Sequence, residues 1–214
     1  MVYERPSPGD PIRQGDIFRD VPRVDVSLEK LHAFDEQDNP VEGRWVDLID
    51  GWGCRPVRAA VYIRPVIGMV VTQDCDALRS RDISLCEIRP FREIYPRIAD
   101  MKDTPKKWVG VITQHARVNY EWFYLPVNHE IGFTERMGAD FSTMLRIARK
   151  DLESMRAQRR MGRLNEVAAA HFRERLSGFF RRYPYNEWYP LTKEELEEYR
   201  RSKPEPIEPY EWQK

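Results

Sequence analysis

Cysteine is scarce in this chain. The three present among 214 residues, Cys54, Cys75 and Cys86, are an odd number without close spacing, which excludes a dense disulfide framework and predicts free thiols in a reducing compartment. No Cys-x-x-Cys pair occurs, so a zinc knuckle has no starting point; three thiolates with one histidine would be adequate zinc ligands, but Cys86 falls inside an apolar strand pattern where a free cysteine serves as a small hydrophobe. Long apolar runs are missing as well, and none approaches the roughly 20 residues of a membrane span. Met1 to Pro6 lack the basic and apolar regions of a signal peptide, so a cytoplasmic protein without membrane contact is expected. Net charge is absent too: 35 Lys and Arg balance 35 Asp and Glu, so any attraction to nucleic acid must be local. There is no internal repeat, and no motif that calls for a cofactor.

What the chain does contain is a folded protein's core. Hydrophobic content of 41%, aromatic content of 12% and six tryptophans argue against disorder, and the 33% charged residues describe a heavily ionised surface. The length allows one to two domains. Gln14 to Phe18 reads as a turn feeding a strand that Pro22 to Val26 continues. Asp38-Asn39-Pro40 reads as a turn, Arg44 to Ile49 as a strand, and Ala59 to Ile63 as another. Val66 to Thr72 and Ile83 to Ile88 are short, apolar and close together, and are expected to be adjacent antiparallel strands. A short helix is expected within Phe91 to Asp103, and strands at Trp108 to His115 and Glu121 to Pro126; Asp140 to Ile147 reads as a strand in preference to a helix start. From Lys150 onward the pattern is helical. Asn165 is placed to cap a helix reaching Arg181 or Arg182, with Ala168, Phe172, Leu176 and Phe179 on its docking side. Thr192 to Glu195 matches a capping box, and Lys203 to Pro209 is Pro and Glu rich.

Gly68 to Asp76 holds the strongest candidate site. Met69, Val70 and Val71 belong inside a sheet, whereas Thr72, Gln73, Asp74, Cys75 and Asp76 cannot stay buried without partners, so the chain must surface at Thr72. A rigid strand end fixes such side chains for chemistry or recognition. Cys75 is a nucleophile only if a cation offsets Asp74 and Asp76; His115 and His129 are the candidate partners, and the alternative is a small turn residue. Asp74 and Asp76 can hold a hard divalent ion or simply cap local backbone. Gln73, Asp74 and Asp76 are expected at a concave, solvent-reachable surface with Arg64 or Gln14 nearby.

Gly15-Asp16-Ile17-Phe18, Arg64 to Thr72, and Ile83 to Pro90 together resemble the MazF/PemK-like family over residues 14 to 92. The resemblance implies an SH3-like barrel of toxin ancestry, and places the family's catalytic arginine on Arg64. Active members carry Thr or Ser just after the third motif's proline, where this chain has Phe91-Arg92, so cleavage stays open. The Thr-Gln-Asp-Cys-Asp string with Gln-Gly-Asp-Ile is also similar to uncharacterised bacterial proteins with a Thr-Gln-x-Cys-Asp arrangement.

Between Arg146 and Arg182 stand eleven basic and four acidic residues, a local excess of seven. Arg156, Arg159, Arg160 and Arg163 are the candidate phosphate ligands there; a solvated helix surface is the other reading. Tyr183 to Pro190 follows and could stack bases or staple the chain end to the core. The expectation is an α+β protein: an SH3-like, partly open β-barrel over residues 1–148, a C-terminal helical segment over 149–202 packed on it, and a tail over 203–214. The expected function is nucleic-acid interaction with RNA or single-stranded DNA, in a toxin–antitoxin or phage-defence setting. The alternatives are a non-enzymatic module that binds a protein partner, and a metal- or cysteine-dependent enzyme centred on Thr72 to Asp76.

Overall fold

The computed structural model describes residues 2–53, 55–94, 107, 110, 121–181 and 201. Along the chain come β1 (Tyr3–Glu4), β2 (Asp16–Asp25), β3 (Leu31–Phe34), β4 (Pro40–Gly43), α1 (Trp45–Trp52), β5 (Arg58–Ala60) and β6 (Tyr62–Val70). Then follow α2 (Asp74–Ala77), β7 (Asp82–Pro90), α3 (Phe91–Ile94), β8 (Trp122–Leu125), β9 (Met137–Ala148), α4 (Arg149–Arg159), β10 (Arg160–Leu164) and α5 (Glu166–Phe180). The class is α+β. A curled sheet of seven strands, all antiparallel, runs in the order β1-β10-β2-β6-β7-β9-β8. The two apolar runs on either side of the polar string are neighbours in it, with Met69 opposite Cys86 and Val70 opposite Leu85.

Why those runs are continuous rather than alternating follows from what covers them. Successive strand residues point to opposite faces. Ile17, Met69, Cys86 and Ile88 pack on one face with Phe172 and Leu176 of α5, whereas Phe18, Val70, Ile83 and Leu85 pack on the other with Leu152 of α4. Both faces of the central strands are therefore buried, so both sets of positions must be apolar. Asn165 caps α5 by accepting from the Ala168 amide, and Ala169, Phe172 and Leu176 then recur at helical spacing along the buried side. Full burial of a side chain the size of Phe172 contributes about 1.5–3 kcal/mol.

Between β2 and β6 the chain makes a separate lobe. Its three-stranded sheet, β4-β3-β5, has its own small apolar cluster of Leu31, Ala33 and Leu48, backed by Val41, Trp52, Val57 and Ala59. The distal halves of β2 and β6 form the two-stranded arm that carries this lobe, with Val21 to Asp25 paired to Tyr62 to Val66.

Two expectations are corrected. Arg44 to Ile49 is not a strand but the start of α1: Trp45, Leu48, Ile49 and Trp52 sit at helical spacing, Arg44 pairs with Asp47, and Gly53 ends the helix in the left-handed conformation at φ 61°. The helical pattern from Lys150 also breaks, because Arg160–Leu164 leaves α4 and enters the sheet between β1 and β2. Gly162 fits the place in the sheet, because a Cβ there would lie 2.8 Å from the Ile131 side chain. Only glycine permits that approach. The strand expected at Trp108 to His115, the helix from Thr192, the aromatic stretch Tyr183 to Pro190 and the tail lie outside the described residues, apart from Gly110 and Arg201. Among the described residues no helix is long and apolar enough to cross a membrane.

Candidate functional site

The chain surfaces after Val71 as its composition demands, and the polar string closes into the short helix α2. Its anchor is the other motif. The Gln14 backbone amide donates to Asp74 Oδ1 at 2.8 Å, Gln14 Nε2 donates to the Val71 carbonyl at 2.7 Å, and the Gly15 amide donates to the Val70 carbonyl at 2.9 Å. Gly15 sits at φ 87°, a conformation that side chains rarely adopt. Thr72 is likewise occupied: the Ser84 amide donates to its hydroxyl at 2.7 Å, which closes the start of β7. Gln14 thus lies beside the string as expected, whereas Arg64 belongs to the opposite end of β6. Gln73, Asp74, Cys75 and Asp76 are exposed, and Asp76 makes a loose ion pair with Arg79 at 3.7 Å.

Asp16, fully buried, holds the second cluster. Arg163 donates to its carboxylate through Nε and, at 3.0 Å, through Nη2; Arg160 Nη1 adds a contact at 3.2 Å and the Arg13 amide another at 3.0 Å. This is a structural clamp that binds β10 and the N-terminal arm to β2. It also divides the four arginines grouped above as phosphate ligands. Arg160 and Arg163 turn inward to Asp16, Arg159 pairs with Asp20 at 3.3 Å, and Arg156 is half-buried. They do not make one exposed basic face, because the strand at Arg160–Leu164 turns part of the basic run towards the sheet.

The third cluster surrounds Arg64. Arg23 and Arg64 are register partners on the arm, and strand alternation puts Asp25 and Tyr62 on the same face. Both guanidinia reach Glu87, whose side chain is 2% exposed; Arg64 Nη1 lies 3.2 Å from it, and Arg23 contacts its other oxygen. Asp25 accepts from Arg23 at 2.8 Å and from Arg64 at 3.1 Å. The hydrogen bond from Arg64, then that from Arg23, holds the Asp25 carboxyl below its usual range. Burial alone would lower the Arg23 guanidinium, but its bonds to Glu87 and Asp25 outweigh this and raise it. Arg64 remains 48% exposed and Tyr62 89% exposed. Glu87 beneath and Asp25 on the exposed side balance the charge of the pair, and what faces outward is the part of the half-exposed Arg64 fork that neither carboxylate takes, held in place to donate to a phosphate oxygen.

Next to Glu87 across the ladder lies Asp140, where β9 bulges over Phe141 to Thr143. Asp140 accepts from the Ser142 amide at 2.9 Å, from the Ser142 and Thr143 hydroxyls at 2.5 and 2.9 Å, and from Arg89 Nη2 at 2.9 Å. Burial pushes its carboxyl up, yet these hydrogen bonds prevail and the net shift is downward. Arg89 in turn stands 5.6 Å over the Trp122 ring. Glu87 falls inside the Ile83 to Pro90 motif without being marked there as a site residue, and Asp140 and Arg23 lie in no motif; the signal of all three is a charge inside a strand-like stretch.

The thiols are far apart in character. Cys75 is exposed on α2, whereas Cys86 is sealed in the sheet, where burial drives its thiol far above the ordinary range. Cys54 and His115 lie outside the described residues, and His129 sits in a turn after β8. Among the described residues no three His, Cys, Asp or Glu side chains converge as a metal site would require. Comparison with protein-family models, with curated proteins and with solved structures finds no match to this chain.

Proposed function

We propose that this chain is a nucleic-acid-interacting protein whose contact surface is the Arg23–Arg64 face of the β2–β6 arm. The observation that carries the reading is the braced, half-exposed Arg64, held by Glu87 and Asp25 beside an exposed aromatic ring. Phosphate contacts by fixed guanidinia supply affinity, and an open aromatic ring supplies a surface for bases. The curled antiparallel sheet is compatible with an SH3-like, partly open barrel; MazF/PemK-like ancestry, and with it a toxin–antitoxin or phage-defence setting in a bacterial cytoplasm, rests on the motif resemblance of residues 14 to 92. Strand cleavage is not part of the reading, since Thr72 and Asp74 serve the fold and stand at the other end of β6 from Arg64.

Fluorescence anisotropy with a labelled, unstructured RNA tests it. Arg64→Glu should weaken binding and lower the slope of log affinity against log salt by about 0.7 for the lost contact. A folded variant with unchanged affinity and slope overturns the proposal. A partner-binding module is favoured by a different observation on the same arm. Pro22, Val24, Ile63 and Pro65 alternate onto the face opposite Arg64 and are exposed, a small apolar surface on a protruding ribbon. A stoichiometric complex recovered without nucleic acid supports that reading.

A further inference from the structure

We infer that Tyr62 is a base-stacking residue, and that the ligand of the arm is an unpaired strand bound with a preference for purines; this rests on the nucleic-acid reading above. Tyr62 opens β6, is 89% exposed, and faces Asp25 across the ladder. Two residues further along the same face stands Arg64, and Arg23 lies opposite it. A residue-to-residue rise of about 3.3 Å places Tyr62 and Arg64 roughly 6.6 Å apart along the strand, close to one nucleotide of an extended chain. A phosphate on Arg64 therefore presents the adjoining base to the Tyr62 ring.

Elementary costs favour this use of the ring. A tyrosine at a strand end ordinarily lays its face on a neighbour to remove apolar surface from water. Tyr62 does not: it stands 89% exposed on the Arg64 face of the arm. Its backbone is fixed by pairing with Asp25, so stacking a base on the ring orders only the two side-chain torsions. The carboxylate of Asp25 keeps its charge because Arg64 and Arg23 stabilise it, so it can accept hydrogen bonds and not donate them. A base resting on Tyr62 would meet that acceptor at its edge, which suits the exocyclic amino groups of adenine, guanine and cytosine and disfavours uracil. The larger ring overlap of adenine and guanine then sets the purines apart from cytosine. In a duplex the base faces are already stacked on one another, so the ring has nothing to cover.

Anisotropy titrations with labelled 12-mers of oligo-adenosine and oligo-uridine, and with a duplex of the same length, read this directly in the full chain. The unmodified protein should bind oligo-adenosine more tightly than oligo-uridine, and either more tightly than the duplex. Tyr62→Ala should weaken oligo-adenosine binding by about tenfold, the scale of one lost stacked base, and erase the difference between the two homopolymers. Tyr62→Phe should keep both, and neither variant should alter the salt slope, because no phosphate contact is removed. Such an exposed position leaves the fold intact. If Tyr62→Ala binds like the unmodified chain while Arg64→Glu weakens binding, the stacking role is wrong and the nucleic-acid reading survives. If neither substitution changes binding, or no oligonucleotide binds, both fail.

Discussion

Asp140 illustrates how much a single buried carboxylate is asked to do. It sits under a bulge, accepts four hydrogen bonds from Ser142, Thr143 and Arg89, and is 1% exposed. Because its folded-state pKa lies below the unfolded one, its contribution is present above the ordinary carboxylate value of about 4 and is lost as pH falls through the depressed folded value. Denaturant titrations from pH 6 down to pH 2 should show the unmodified protein losing stability across that window. Asp140→Asn should be less stable at pH 6 and show a shallower acid dependence; an acid limb of unchanged steepness would remove Asp140 as its source. Tyr62 obeys the opposite rule, since its exposure makes it cheap to change and leaves binding as the property that responds, whereas Arg64 is a counter-ion of the buried Glu87 and its loss costs stability as well.

At the scale of elements, β10 and β2 are joined as much by charge as by the ladder. Asp16 is fully buried against Arg163 and Arg160, so removing the carboxylate leaves a buried guanidinium without its counter-ion. Breaking such a pair from one side costs about 3–5 kcal/mol. Asp16→Ala should therefore lower the unfolding free energy by that amount, measured by urea melts, whereas Asp76→Ala on exposed α2 should change it by less than about 0.5 kcal/mol. Equal effects at the two sites would contradict the clamp. Such a clamp also explains why a segment rich in arginine does not make one exposed basic surface: its two innermost members are spent on holding a strand.

For the whole molecule, the lobe between β2 and β6 is separable in its packing. Leu31, Ala33 and Leu48 form a cluster distinct from the two that line the large sheet. Replacing residues 27–60 by a short turn should leave the seven-stranded sheet cooperatively folded, with a melting temperature close to that of the full chain and RNA binding through Arg64 retained. Loss of cooperative unfolding would show instead that the lobe is needed for the main core. A balanced total charge adds a constraint at this scale, because affinity for a polyanion must arise from local geometry and its salt slope should stay small.

Legibility varied with how local the cause was. The strand pair around Thr72, the Asn165 cap and the buried side of α5 were readable from the residues, because an apolar run, a side-chain oxygen at a helix start and a 3.6-residue period each have a local physical cause. The sequence also determined that Gln14 and Asp74 belong to marked strings. What only the tertiary structure decided was which partner each charge met. Arg160 and Arg163 looked like surface cations until Asp16, more than a hundred residues away, claimed them; Arg64 was separated from Asp74 by the length of β6 and joined instead to Glu87 and Arg23. Periodicity reports which face a residue occupies, but the free energy of a charge depends on what lies within a few ångströms of it, and that neighbourhood exists only once distant strands have paired.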